Sequence, residues 1–193
     1  MRITNPSNWE PATKYSKKYI KRLEALFPEI RITELEIAKM DSLYSDGVNP
    51  LVYEKGSLDN KAHIYYDEIV VKNIKDDKIL YALLSHEVGH MLADYKRENC
   101  EGTEGEIIAD NYVYKLGLGK NLLNALILLK DNYNRNRESI FDSLSGISES
   151  NTKINIEFNR RIENLKKKLR RPLFILNYMI QIRVLLYRIT HKK

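Results

Sequence analysis

The sequence is constrained most by residues 86–90, which read His-Glu-Val-Gly-His. Two histidines four positions apart on a helix project from the same face, so both imidazoles can approach one metal ion. Each can place a ring nitrogen about 2.0–2.1 Å from zinc, and Glu87 between them can reach a metal-bound water. The chain has four histidines, and two of them are His86 and His90. The motif therefore predicts a zinc-binding helix and a zinc-dependent peptidase.

A catalytic zinc site needs three protein ligands and one open position, so a third ligand must come from elsewhere. Glu106 is the best candidate because it opens the next predicted helix, on which Asp110 shares its face. Glu106 would bind the ion, and Asp110 would accept a hydrogen bond from a ligand histidine and so fix its tautomer. Thr103 and Glu106 also fit a capping box, which is the structural alternative. Glu101 and Glu104 are the fallback ligands.

The pattern of apolar residues predicts an α+β fold, with a small mixed or antiparallel sheet packed on the zinc-binding helix and a helical C-terminal part. Gly89 is costly inside a helix, by roughly 1 kcal/mol relative to Ala, and would let a strand or the substrate approach closely. We expect irregular structure over 1–13, a turn over 45–50, strands over 30–38, 61–66 and 68–72, and helices over 14–27, 77–95, 106–116, 121–133 and 153–170. Asp76 and Asp77 are predicted to cap the second of these helices.

The composition, 43% hydrophobic and 30% charged, is that of an ordinary globular protein. The single cysteine, Cys100, excludes an internal disulfide and a cysteine-rich zinc cluster, and it favours a reducing compartment. The first residues contain no apolar signal-peptide core, so a cytoplasmic location is expected. His63 and His191 lie in no pattern that suggests metal binding.

Positive charge is concentrated in residues 151–193, which hold 12 Lys and Arg against two Glu, whereas residues 1–150 hold 20 basic and 24 acidic residues. A helical segment with a solvated basic face accounts for this, and contact with an anionic membrane surface or a protein partner is the alternative. Nucleic acid is not an expected partner because the sequence contains no nucleic-acid-binding motif. The mostly apolar segment 173–190 is predicted to pack on the domain, to bind an interface or partner, or to span a membrane.

Three segments together resemble the HtpX-like and CAAX-prenyl-protease-like gluzincins, a family of zinc metallopeptidases. They are NKAHIYYDEIVVKNIKDDKILYALLSHEVGHML (60–92), EIIADNYVYKLG (106–117) and, more weakly, EFNRRIENLKKKL (157–169). The resemblance implies a minimal version with a zincin-like catalytic core over 1–150, including the N-terminal helix, and a helical extension over 151–193 packed on it. It implies one Zn²⁺ ion and a peptide or protein substrate. The implied roles are metal ligand for His86, His90 and Glu106, general base for Glu87, support for Asp110, and contact near the scissile carbonyl for Arg161.

The predicted reaction is peptide-bond hydrolysis by an endopeptidase, with Glu87 taking a proton from the attacking water. Arg161 or a tyrosine such as Tyr112 would stabilise the oxyanion, and the strand over 61–66 would offer an edge to an extended substrate. The family often has a His-Pro pair before the arginine, and this sequence lacks it. The alternative is a non-catalytic or latent zinc-binding regulatory or interaction protein. That alternative is either a pseudo-peptidase or similar to ImmA/IrrE-type proteins, although their usual helix-turn-helix is missing from the sequence.

Overall fold

The structure is a computed structural model. It combines helices with a small mixed sheet and so confirms the predicted α+β class. The predicted turn over 45–50 falls largely outside the described residues, and so does the segment 173–190 except for three isolated positions. The structure describes residues 1–28, 34–41, 43, 49–55, 61–96, 98, 102–141, 148–170, 182, 184 and 189.

Ten elements follow one another along the described chain. The strands are β1 (Arg2–Thr4), β2 (Glu34–Lys39), β3 (Leu51–Lys55) and β4 (Lys61–Tyr66). The helices are α1 (Glu10–Leu26), α2 (Glu68–Lys72), α3 (Asp77–Tyr95), α4 (Gly102–Lys115), α5 (Gly119–Phe141) and α6 (Ser148–Leu169). Helices α1, α3, α4, α5 and α6 confirm the five predicted helices, although most of their ends differ by several residues.

The sheet has the strand order β1-β2-β4-β3. Strands β1, β2 and β4 run parallel, and β3 pairs antiparallel with β4. Apolar residues alternate along β2, where Leu35 and Ile37 are buried and their neighbours are not. Because β2 and β3 flank β4 on both sides, the prediction that residues 61–66 offer a free edge is wrong. In the described sheet, β3 is the outer strand next to β4, and the sequence analysis missed it.

Residues 68–72 form helix α2 rather than the predicted strand. Asp67 caps this helix, since its Oδ1 accepts hydrogen bonds from the amides of Ile69 at 2.8 Å and Val70 at 3.2 Å. Only Val71 is buried, whereas Ile69 is 71% exposed. The β-branched residues favoured a strand, but the cap ends the sheet at Tyr66 and turns the chain into a helix.

The first residues are more regular than predicted. Strand β1 pairs with β2, and α1 begins at Glu10, before the predicted start. Asn5 holds this entry together because its side chain accepts a hydrogen bond from the Trp9 amide at 3.0 Å and donates one to the Trp9 carbonyl at 2.7 Å. The side chain of Trp9 then stacks on Tyr66, with ring centroids 4.3 Å apart.

Helix α3 lies at the centre of the fold, with almost its whole length buried against the sheet, α1, α4 and α5. Asp76 caps its start by accepting a hydrogen bond from the Lys78 amide at 2.8 Å, as predicted. Helix α6 spans the predicted boundary between 150 and 151, and its Ile162 and Leu165 belong to the same core. Among the described residues, no helix combines the length and the apolar character needed to cross a lipid bilayer.

Candidate metal centre

His86 and His90 lie one turn apart on the same face of α3. Their Nε2 atoms are 3.1 Å apart, and the ring planes are nearly perpendicular at 87°. Both side chains are largely buried, with 7% of His86 and 15% of His90 exposed. The two rings therefore present their outer nitrogens to one point, as the sequence spacing predicts.

Glu106 reaches the same point from α4. Its Oε2 lies 3.1 Å from Nε2 of His86, and its Oε1 lies 3.2 Å from Nε2 of His90. Tetrahedral zinc with bonds of about 2.0–2.1 Å would hold neighbouring ligand atoms about 3.3 Å apart. The observed spacings and the two-histidine, one-carboxylate donor set thus fit zinc. Within the described part of the chain, His86, His90 and Glu106 form the one group with the spacing of metal ligands.

The close contact between α3 and α4 brings Glu106 to the histidines. A methyl group added at Gly89 would lie 2.7 Å from the carbonyl oxygen of Ala109 and 2.9 Å from its Cα. The glycine therefore serves a helix–helix crossing and not the predicted approach of a strand or substrate. Ala109 is fully buried at this crossing and lies three residues after Glu106.

Asp110 lies beside the candidate metal centre and contacts His86 and Arg161. Its Oδ1 lies 2.9 Å from Nδ1 of His86, and the negative charge of the carboxylate favours a proton on that nitrogen, which would leave Nε2 for a metal. The same carboxylate accepts hydrogen bonds from Nε of Arg161 at 3.0 Å and from its Nη2 at 2.9 Å. Nη1 of Arg161 lies 2.6 Å from Oε2 of Glu106. A single guanidinium from α6 thus contacts two carboxylates of α4, those of Glu106 and Asp110.

Glu87 is buried and lies beside the histidines in the same cavity. Its Oε2 accepts a hydrogen bond from the backbone amide of Tyr53 at 2.9 Å. The hydroxyl of Tyr53 donates to Oδ2 of Asp94, two turns further along α3, at 3.0 Å. Strand β3 is therefore attached to α3 at two points, and one of them is the predicted general base.

Burial and nearby charges shift the pKa values of these groups. Burial tends to raise the pKa of Glu106, but its contacts with His86, His90 and Arg161 outweigh burial and lower that pKa. The same balance, with His86 and Arg161 as partners, lowers the pKa of Asp110. Burial and Arg161 tend to lower the pKa of His86, yet Asp110 and Glu106 raise it to about 9. Burial raises the pKa of Glu87 against the opposing effect of both histidines.

A cavity of about 650 Å³ opens over these residues. It is lined by residues of α3, by the segment 49–53, by Glu106 of α4 and by residues of α5 and α6. Arg161 faces this cavity as well as the carboxylates. The volume lies within the usual range for sites that bind small molecules or side chains, about 300–1,000 Å³.

The structure places the remaining candidates elsewhere. The Tyr112 hydroxyl donates to both oxygens of Glu98 at 3.2 Å, and Tyr112 is not among the described residues that line the cavity. Glu104 is exposed and pairs with Arg160. His63 lies on β4, 3.9 Å from Glu36. The other two candidates, at positions 101 and 191, lie outside the described residues.

Tyr53 is the contact that the sequence analysis missed. It lies in β3, a five-residue segment with β-forming residues directly after Pro50. That short run was the available signal. Its pairing with Glu87 could not be found from sequence because the two residues are 34 positions apart.

No protein-family model, curated protein sequence or solved structure matches this chain. The resemblance of residues 60–170 to HtpX-like gluzincins therefore stays a prediction. Function has to be inferred from the chain's own residues.

Proposed function

We propose that this protein is a zinc-dependent endopeptidase. The observation that carries the proposal is the convergence of the two Nε2 atoms of His86 and His90 with the Glu106 carboxylate, beside the buried carboxylate of Glu87. Two histidines, an acid from a following helix and a glutamate between the histidines are the donor types that catalytic zinc sites in peptidases use. Open cavity space above them leaves room for water and substrate.

His86, His90 and Glu106 are the residues that would hold the ion. Zinc in such a site supplies Lewis-acid polarisation of a carbonyl and a water whose pKa is lowered to about 7. Asp110 orients the His86 ring. Arg161 contacts Glu106 and lines the cavity, where it is the proposed partner of the oxyanion.

Glu87 is the proposed general base. Its pKa is raised by burial, which makes the carboxylate a better proton acceptor. The hydrogen bond from the Tyr53 amide fixes one carboxylate oxygen, so the other can face the attacking water. Glu87 takes a proton from that water and passes it to the amine that leaves.

Strand β3 is the proposed platform for the substrate backbone. The Tyr53 amide points away from β4 towards Glu87, and the alternation of an antiparallel ladder turns the amide and carbonyl of Leu51 the same way. Pro50 agrees with this register because its carbonyl accepts the Asp67 amide on the β4 side. An extended peptide that paired with Leu51 on β3, the last strand of the described sheet, would lie beside the cavity, next to the predicted metal ligands.

Metal content and proteolysis test the proposal together. Purified protein is expected to contain about one zinc ion per chain and to cleave an unfolded protein such as casein until a chelator is added. His90→Ala should lose the metal, and His63→Ala is the matched control because His63 lies outside the cluster.

Glu87→Gln separates catalysis from metal binding. The variant should bind zinc normally and lose at least about a hundredfold in cleavage rate, because an amide accepts no proton from water. Full cleavage by this variant would refute the mechanism. Normal zinc content in an inactive wild-type protein would instead favour the non-catalytic alternative.

A further inference from the structure

We propose that α5 and α6 form a subsite in the cavity that selects a bulky apolar side chain of the substrate. This inference rests on the proposed peptidase function and adds the class of residue that the enzyme prefers. The subsite is defined by Leu126, Leu129 and Tyr133 of α5 and by Ile154 and Phe158 of α6.

Helix α6 presents one face to the cavity. Ile154, Phe158 and Arg161 are separated by four and three positions, so they lie on the same side of the helix. Arg161 is buried and touches Glu106, Phe158 is half-buried one turn away, and Ile154 is 38% exposed at the rim. The apolar surface thus begins one turn from the candidate metal centre and continues to the cavity mouth.

Helix α5 repeats the pattern. Leu126, Leu129 and Tyr133 follow at spacings of three and four, and burial decreases from the fully buried Leu126 to the half-buried Leu129 and Tyr133. With Ile154 and Phe158 of α6, this face makes an apolar surface that Glu157 borders. The segment 49–53, whose backbone is the proposed partner of the substrate backbone, lines the same cavity. A substrate side chain that enters the cavity from β3 can therefore contact α5 and α6.

The charges in the cavity also favour an apolar side chain over an acidic one. Four carboxylates line it, from Glu87, Asp94, Glu106 and Glu157, against the single guanidinium of Arg161. With a divalent ion bound, the net charge of these lining groups would still be about −1. An acidic side chain would meet this negative potential, whereas a leucine or phenylalanine would exchange water for the apolar surface.

The test measures binding and cleavage with blocked ten-residue peptides that differ at one position, which is Leu, Phe, Ala or Asp. Binding is measured to zinc-loaded Glu87→Gln by calorimetry, and cleavage is measured with zinc-loaded wild-type protein. The Leu and Phe peptides are expected to bind about 10- to 100-fold more tightly than the Ala and Asp peptides. The cleavage rate of the wild-type protein should follow the same order.

Ile154→Asp is the decisive variant, and Ile156→Asp is its control. Both isoleucines lie exposed on α6, at 38% and 60%, but only Ile154 is among the described residues that line the cavity. In the Glu87→Gln background, Ile154→Asp should reduce the preference for Leu over Asp at least about tenfold with zinc binding unchanged, and Ile156→Asp should not.

Two results would overturn the subsite. One is equal binding of the Leu and Asp peptides, and the other is a preference that Ile154→Asp leaves intact. Failure of the peptidase function looks different, because wild-type protein would then cleave none of the peptides while the binding preference persisted. In that case the subsite would belong to a zinc protein that binds peptides.

Discussion

At the scale of single residues, Asp110 joins the candidate metal centre to the rest of the molecule. Its carboxylate is fully buried, lies 2.9 Å from Nδ1 of His86 and accepts two hydrogen bonds from Arg161. The lowered pKa keeps it ionised, so it favours the His86 tautomer that leaves Nε2 for a metal.

Asp110→Asn should weaken zinc binding about 10- to 100-fold, because an amide holds the His86 ring less firmly in that tautomer. Competition with a zinc-binding dye measures the change. Glu104→Gln is the control, since Glu104 lies on the same helix but is exposed and pairs with Arg160 at the surface. Equal affinity of the two variants would show that Asp110 does not tune the metal site.

Glu68 gives a prediction about pH and stability. Hydrogen bonds and charge pairing with Lys39 and Lys72 lower its pKa to about 2 from an ordinary value of 4.5. A depressed folded-state pKa stabilises the native state above pH 4.5, and this contribution is lost as the pH falls through about 2. Glu68→Gln should therefore lower the thermal midpoint slightly at pH 7, and the difference from wild type should vanish near pH 2.

Salt provides the control for this prediction. The three side chains are exposed, so concentrated salt should screen the pairing and bring the midpoints of variant and wild type together at pH 7. A difference that persists in 1 M salt or near pH 2 would mean that the Glu68 charge is not its cause.

At the scale of elements, the crossing of α3 and α4 sets the position of Glu106. Gly89→Ala would place a methyl group 2.7 Å from the Ala109 carbonyl, so α4 must move. The clash should lower the unfolding free energy by about 1–3 kcal/mol, whereas the better helix propensity of alanine should raise it by about 1 kcal/mol. We also expect zinc binding to be at least about tenfold weaker.

Gly119→Ala is the matched control for Gly89→Ala. Its added methyl group would lie 2.9 Å from the side chain of Tyr114, which can turn aside, whereas the Ala109 backbone cannot. Urea unfolding and zinc titration measure both variants. Wild-type zinc affinity in Gly89→Ala would show that the crossing does not position Glu106.

Elements show where sequence patterns succeed and where they fail. Local spacing was enough for α3, because helical periodicity, the Asp76 cap and the paired histidines all depend on neighbouring residues. The β propensity of Ile69, Val70 and Val71 predicts a strand, but the Asp67 cap begins helix α2 at these residues. Strand β3 was missed because its role depends on pairing with β4, which no local pattern records.

At the scale of the whole molecule, Arg161 links three helices, because it lies on α6 and contacts Glu106 and Asp110 of α4 and His86 of α3. The resemblance to a family pointed to Arg161, but periodicity could not predict its contacts, since Asp110 is 51 positions away. The pairings among His86, His90, Glu106 and Asp110 were predictable because these residues lie on two consecutive helices, whereas the contact between Tyr53 and Glu87 was not.

Arg161→Ala should destabilise the fold by about 3–5 kcal/mol, because Asp110 would stay buried without its guanidinium partner. Arg160→Ala is the control, with a loss below about 1 kcal/mol, since its partner Glu104 is 56% exposed. Urea denaturation measures both. Similar losses would show that the pair between Arg161 and Asp110 contributes no more than a surface contact.

The 75 positions between His86 and Arg161 also determine the order of assembly during synthesis. A growing chain carries both imidazoles and Glu106 well before the ribosome adds Arg161, so an early intermediate has the metal-binding groups but lacks the cation that neutralises Asp110 and Glu106. The cavity gains the lining residues of α6 only once α6 has been made. If the protein is a peptidase, we expect a nascent chain to gain activity only after translation has passed α6.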